Sequence, residues 1–73
     1  MSIKYAVVIE KAKRNYAAYV PDLDGCIATG ATLKETERRI REAIGLHLEA
    51  MREVGEAIPK PTAVVREVEV PAA

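Results

Sequence analysis

Phenylalanine and tryptophan are absent from this chain of 73 residues, and cysteine and histidine occur once each. A single thiol, Cys26, cannot build an intramolecular disulfide framework, and one histidine leaves no Cys/His group with structural-zinc spacing. No apolar run is long enough for a membrane span or a secretion signal, since the first stretch alternates and is broken at Glu10. An excess of one charge is missing too. Lys and Arg number 11 and Asp and Glu 11, so the chain lacks the positive field expected of a protein held mainly by phosphate contacts. Tyr5, Tyr16 and Tyr19 are its only aromatic rings. Nucleic-acid binding by this chain alone is disfavoured, and a reducing, cytoplasmic setting is expected. A domain of this length buries only roughly 60% of the surface its unfolded chain exposes, so a partner subunit is the expected source of added stability.

What is present reads as alternating strands and one amphipathic helix. Ile3, Tyr5, Val7 and Ile9 fall on one side of a period-two pattern and Lys4, Ala6, Val8 and Glu10 on the other, which predicts a strand over 3–10. After the basic KAKR segment, whose Lys11, Lys13 and Arg14 mark a solvated hairpin tip, NYAAYV resumes strand character over 15–20. Pro21 ends it, the DLDG turn reverses the chain, and residues 26–29 make a third antiparallel strand. Gly30 punctuates. Thr32 with Glu35 three places on forms a T-x-x-E capping box.

From that cap, Leu33, Ile40, Ile44, Leu48, Met51 and Val54, with Ala43 and Ala50, recur at helical spacing. The outer face pairs Glu35 with Arg39, Glu37 with Arg41 and Arg38 with Glu42 at i,i+4. Gly55 is placed to stop the helix in a left-handed conformation, and Pro59 and Pro61 prevent continuation. Beyond them TAVVREVEV is strand-like, with Val64, Val68 and Val70 on one side, Glu67 and Glu69 on the other, and Arg66 breaking the apolar row. The expected fold is α+β, strand-strand-strand-helix-strand. A right-handed crossover brings the last strand parallel to the first, giving a small mixed sheet with one helix on one face. The helix, about 33 Å long, overhangs a strand of about 26 Å. One helix leaves the other sheet face bare, so self-association through that face or an edge strand is expected.

Chemistry-bearing residues are few. Asp22 and Asp24 stand two apart, but a calcium loop needs more oxygen ligands and a terminal Glu that does not follow. Turn-forming aspartates are the better reading. His47 has no second histidine for a metal and no visible nucleophile to serve as a base. Cys26 has no adjacent His or Lys to lower its pKa and reads as a small buried hydrophobe. A metal-dependent hydrolytic site built from Asp22, Asp24 and His47 remains a rival to be tested.

The pieces YAVVIE, NYAAYVPDLDGC, GATLKE, the EAI of Glu42 to Ile44 and GEAIPKP come in an order and spacing by which the chain, from about Tyr5 to Pro61, resembles the HicB family of antitoxins, also described as UPF0150-type proteins. The resemblance implies a partial ribonuclease-H-like fold of three antiparallel strands, a helix and a further strand. It implies no catalysis and no cofactor. Independently, the middle of the first strand around Val7 offers no carboxylate of the kind a two-metal nuclease needs. The implied partner is a HicA-type toxin, a small basic RNA-cleaving protein, neutralised by protein–protein contact. Asp24 stands where the family commonly has proline, Ala31 where an acidic residue is frequent, and Thr36 where alanine is usual. Residues 1–73 are expected to form a single HicB-like domain without a C-terminal DNA-binding domain, so no direct DNA binding is carried over. The expected partner-binding residues are Glu10 and the turn Pro21, Asp22, Leu23, Asp24, Gly25 and Cys26, because acidic rims steer basic partners. The alternative is an orphan regulatory or RNA-interacting module.

Overall fold

The computed structural model describes residues 2–72. Three strands, β1 (Val8–Lys11), β2 (Tyr16–Tyr19) and β3 (Ile27–Gly30), precede one helix, α1 (Leu33–Glu53). The sheet is antiparallel in the order β1-β2-β3. The first strand is shorter than its sequence alternation because its partner is short. With Val8 opposite Tyr19, residues before Val8 would need ladder partners beyond Tyr19, where Pro21 and the turn intervene. At the other end the hairpin closes through Ala12 N–H to Asn15 O at 2.8 Å. The Lys11 ammonium lies 5.9 Å above the ring of its cross-strand partner Tyr16.

Ala18, Val20, Leu23, Cys26, Ile40 and Leu48 form the core, with Tyr5, Val7, Ile9, Ala28, Ala43, Ile44, Met51 and Ile58 packed around it. The period-two reading is therefore correct in phase: Val7 and Ile9 face the helix layer. α1 lies mainly over β3 and β2. It approaches the sheet closely at Gly30, where an added Cβ would sit 2.6 Å from Thr36 Oγ1 and 2.9 Å from Thr36 N. Glycine is needed there for space, not for φ.

Thr32 caps α1 by accepting the Glu35 N–H at 3.1 Å. The return arm of the capping box is replaced, since the Glu35 carboxylate pairs with Arg39 at 2.8 Å. Arg38 and Glu42 pair at 3.1 Å, both exposed. The helix ends in a Schellman arrangement around Gly55, which has φ 75°, with Glu56 N–H to Met51 O at 2.9 Å and Gly55 N–H to Arg52 O at 3.1 Å. The overhang is visible in Val54, which is 70% exposed, while Met51 is half-buried.

Among the described residues the expected fourth strand does not form, so the sheet is antiparallel, not mixed, and the crossover is not completed. Instead, Ile58 packs on the core and the Tyr5 hydroxyl donates to Pro59 O at 2.6 Å. The N–H groups of Thr62 and Ala63, which a ladder would use, go to the Asp22 carboxylate, each at 3.1 Å. From Val64 on, the described residues make no strand, and Val64, Val65, Val68 and Val70 are exposed.

Candidate partner-binding surface

The turn after β2 is built around one buried side chain. Leu23 N–H donates to Val20 O at 3.0 Å, Cys26 N–H to Leu23 O at 3.2 Å, and Val20 N–H to Cys26 O at 3.3 Å, so the loop closes on itself. Gly25, at φ 76°, takes the left-handed conformation that completes the reversal. These bonds turn Leu23 inward, where it is 2% exposed. Cys26 is also buried, and burial pushes its thiol pKa up, which keeps it protonated and inert.

Among the seven expected contact residues, Leu23 and Cys26 thus shape the turn from within. Pro21, Asp24 and Gly25 are exposed at its surface, and Glu10 is exposed on β1. Asp22 has a different task. Its carboxylate accepts from the Thr62 hydroxyl at 2.7 Å and from the Thr62 and Ala63 N–H groups, tying the turn to a segment forty residues on. The Thr62 hydroxyl bond first, then the Ala63 and Thr62 N–H bonds, hold its pKa below the ordinary value.

Asp22, Asp24 and His47 do border one depression of about 540 Å³, together with Leu23, Met51 and Val54. A hydrolytic site would need carboxylate oxygens free to hold a cation or take a proton. Both Asp22 oxygens are already engaged by tail donors. Among the described residues no group of three or more His, Cys, Asp or Glu side chains is arranged to hold a metal.

The opposite sheet face offers a different kind of site. The register sets Val8 opposite Tyr19 and Tyr19 opposite Ile27, so these outward side chains form an apolar row across all three strands. Tyr19 is 43% and Ile27 69% exposed. Glu10, which alternation places on the same face, lies along β1 from Val8, and the row ends beside the turn bearing Asp24. The arrangement is an apolar strip with carboxylates near its margin, suited to a partner with an apolar centre and basic surroundings. Ile27 escaped the sequence reading because only the register reveals its place beside Tyr19.

Residues 5–72 match the family described as HicB-like antitoxin of bacterial toxin-antitoxin system. The chain belongs to the HicB-like antitoxins. Its relatives include a UPF0150 protein of Thermoplasma acidophilum, 39% identical over 62 residues that cover 84% of this chain and 90% of that one. A 14.9 kDa protein from the rep-hol intergenic region of Haemophilus phage HP1 is 43% identical over 56 residues, covering 77% of this chain and 42% of that protein. The HicB-like chain thus spans about two fifths of the phage relative and nearly the whole of the archaeal one. Among solved structures, a chain of the HicA3 and HicB3 toxin-antitoxin complex superposes with a TM-score of 0.70 at 32% identity, covering 82% of this chain and 70% of that one. Among the described residues no helix is long and apolar enough to cross a membrane.

Proposed function

We propose that this chain is a non-catalytic antitoxin that binds a HicA-type, mRNA-cleaving toxin and neutralises it by protein–protein contact in the cytoplasm. The observation that carries the reading is the likeness, in sequence over residues 5–72 and in fold, to the antitoxin family and to a chain of a solved toxin–antitoxin complex. The exposed sheet face agrees with it. Val8, Tyr19 and Ile27 supply a desolvated centre, while Glu10 and Asp24 supply the charge that draws a basic partner. Pro21 and Gly25 shape the exposed end of the turn, and Asp22, Leu23 and Cys26 hold it in place from behind. The protein acts as a self-associated oligomer without a cofactor.

The hydrolase alternative loses support from the engagement of Asp22. The reading is tested by co-purification with a HicA-type toxin encoded beside it. A complex that survives gel filtration and weakens about tenfold or more in Ile27→Asp, with an unchanged circular-dichroism spectrum, is expected for a central apolar contact. Failure to co-purify even at low salt would remove the antitoxin assignment. An RNA gel shift with a steep salt slope, in place of toxin binding, would favour an RNA-interacting module.

A further inference from the structure

A groove and a strand-like tail are left unused by the fold and by the proposed toxin contact. The groove, about 570 Å³, runs beside β1 and is lined by Tyr5, Val7 and Ile9 on one side and Glu37, Ile40, Arg41 and Ile44 of α1 on the other. It exists because α1 sits over β3 and β2, and β1 is a sheet edge paired only with β2. An open edge beside an apolar groove is a template for strand addition.

The tail from Val64 to Val70 carries the matching pattern. Val64, Val68 and Val70 are 71%, 78% and 71% exposed and share one side at strand period with Arg66. No tail residue lines the groove of its own chain. The chain is fastened at Pro59 and at Thr62 and Ala63, and the remainder projects. The radius of gyration is 14.3 Å, against about 11 Å for a compact chain of this length. The seven residues 64–70 reach roughly 23 Å as a strand, enough to run along β1 and the residues just before it.

We propose that residues 64–70 of one copy add as a strand to the free edge of β1 in a second copy, reciprocally, in a two-fold dimer. The three valines fill the partner's groove and bring Arg66, on the same side, against the α1 wall that carries Glu37 and Arg41, where Glu37 is the group that can pair with it. Neither Arg66 nor Glu37 forms an ion pair among the described residues. Glu67 and Glu69 lie on the tail's other side, away from the groove. The exchange supplies both chains with the fourth strand that neither forms alone. When the exchange is reciprocal the contact is isologous and closes at two subunits, with no groove left open for a third. It concerns self-association only and leaves the toxin assignment to its own test.

The test uses light scattering and sedimentation of the full chain with two charge reversals. Arg66→Glu sets like charges together at both half-sites of its homodimer, as does Glu37→Arg, and each single variant is expected to dimerise about tenfold more weakly, from the modest worth of exposed ion pairs counted twice. Mixing the two variants restores the opposite-charge pair at both half-sites, so the mixture regains wild-type dimerisation. Val68→Asp, at an exposed position in the single chain, abolishes dimerisation without changing the circular-dichroism spectrum. A monomeric wild type at high micromolar concentration overturns the proposal, and so does wild-type dimerisation by Val68→Asp. Recovery in the Arg66→Glu, Glu37→Arg double variant but not in the mixture also overturns it, because that pattern means the tail pairs with its own chain.

Discussion

Replacing Gly30 by alanine tests how closely β3 and α1 are fitted. The added methyl would lie 2.6 Å from Thr36 Oγ1, 2.9 Å from Thr36 N and 3.2 Å from Thr36 Cα. The Thr36 side chain cannot swing away freely, since it is fully buried and its hydroxyl donates to Thr32 O at 2.8 Å. Two of the three close atoms are backbone, so the first turn of α1 must lift from the sheet. Overpacking of this kind costs about 3 kcal/mol, offset by about 0.5 kcal/mol from the reduced freedom of the unfolded chain. A net loss of about 2.5 kcal/mol removes a large part of the roughly 4–11 kcal/mol expected for a domain of this size and lowers Tm by roughly 10–20 °C. Thermal melting followed by far-UV circular dichroism reads the change directly. Adding Thr36→Ala removes the contact at 2.6 Å but leaves the backbone contacts, so less than half of the loss returns. A Gly30→Ala protein melting within about 3 °C of wild type would refute the close approach, on the same scaling.

Thr32→Ala removes the hydroxyl that accepts the Glu35 N–H and is expected to cost about 1 kcal/mol, measured by urea denaturation; an unchanged midpoint would mean the cap is idle. Asp22 has a lowered pKa in the folded chain, so its contribution to holding the tail is complete above the ordinary carboxylate pKa and is lost as pH falls through the lower folded value. The amide resonances of Thr62 and Ala63 should therefore titrate with a midpoint below 3.8, and a midpoint at or above that value would contradict the tether. In Asp22→Asn the same two amides shift toward random-coil positions at neutral pH while the core resonances of Ile40 and Leu48 stay in place.

Local chemistry was legible and long-range chemistry was not. Thr32, Gly55 and the i,i+4 pairs at Glu35–Arg39 and Arg38–Glu42 are decided within a few residues, and the folded chain realises them. The hairpins follow from period-two alternation broken by KAKR and by Pro21. Asp22 read as a turn residue because its partners lie forty residues away, and the same tether explains why TAVVREVEV, correctly strand-like in pattern, has no ladder in the single chain. A pattern states which residues suit a strand but cannot name the neighbour. Leu23 was placed at the partner surface with the rest of its turn. A lone leucine between two aspartates was the available signal that one side chain there turns inward. Ile27's place in the apolar row needed the register, since it lies in a separate strand from Val8 and Tyr19.

The proposed antitoxin role is tested most directly by titrating this chain into an RNA-cleavage assay of the HicA-type toxin encoded beside it. Cleavage falling to background near stoichiometric addition, with Tyr19→Glu needing a large excess to do the same, is the result expected of an inhibitor that works by covering its target. Undiminished cleavage at saturating concentrations of the folded wild-type chain would contradict it.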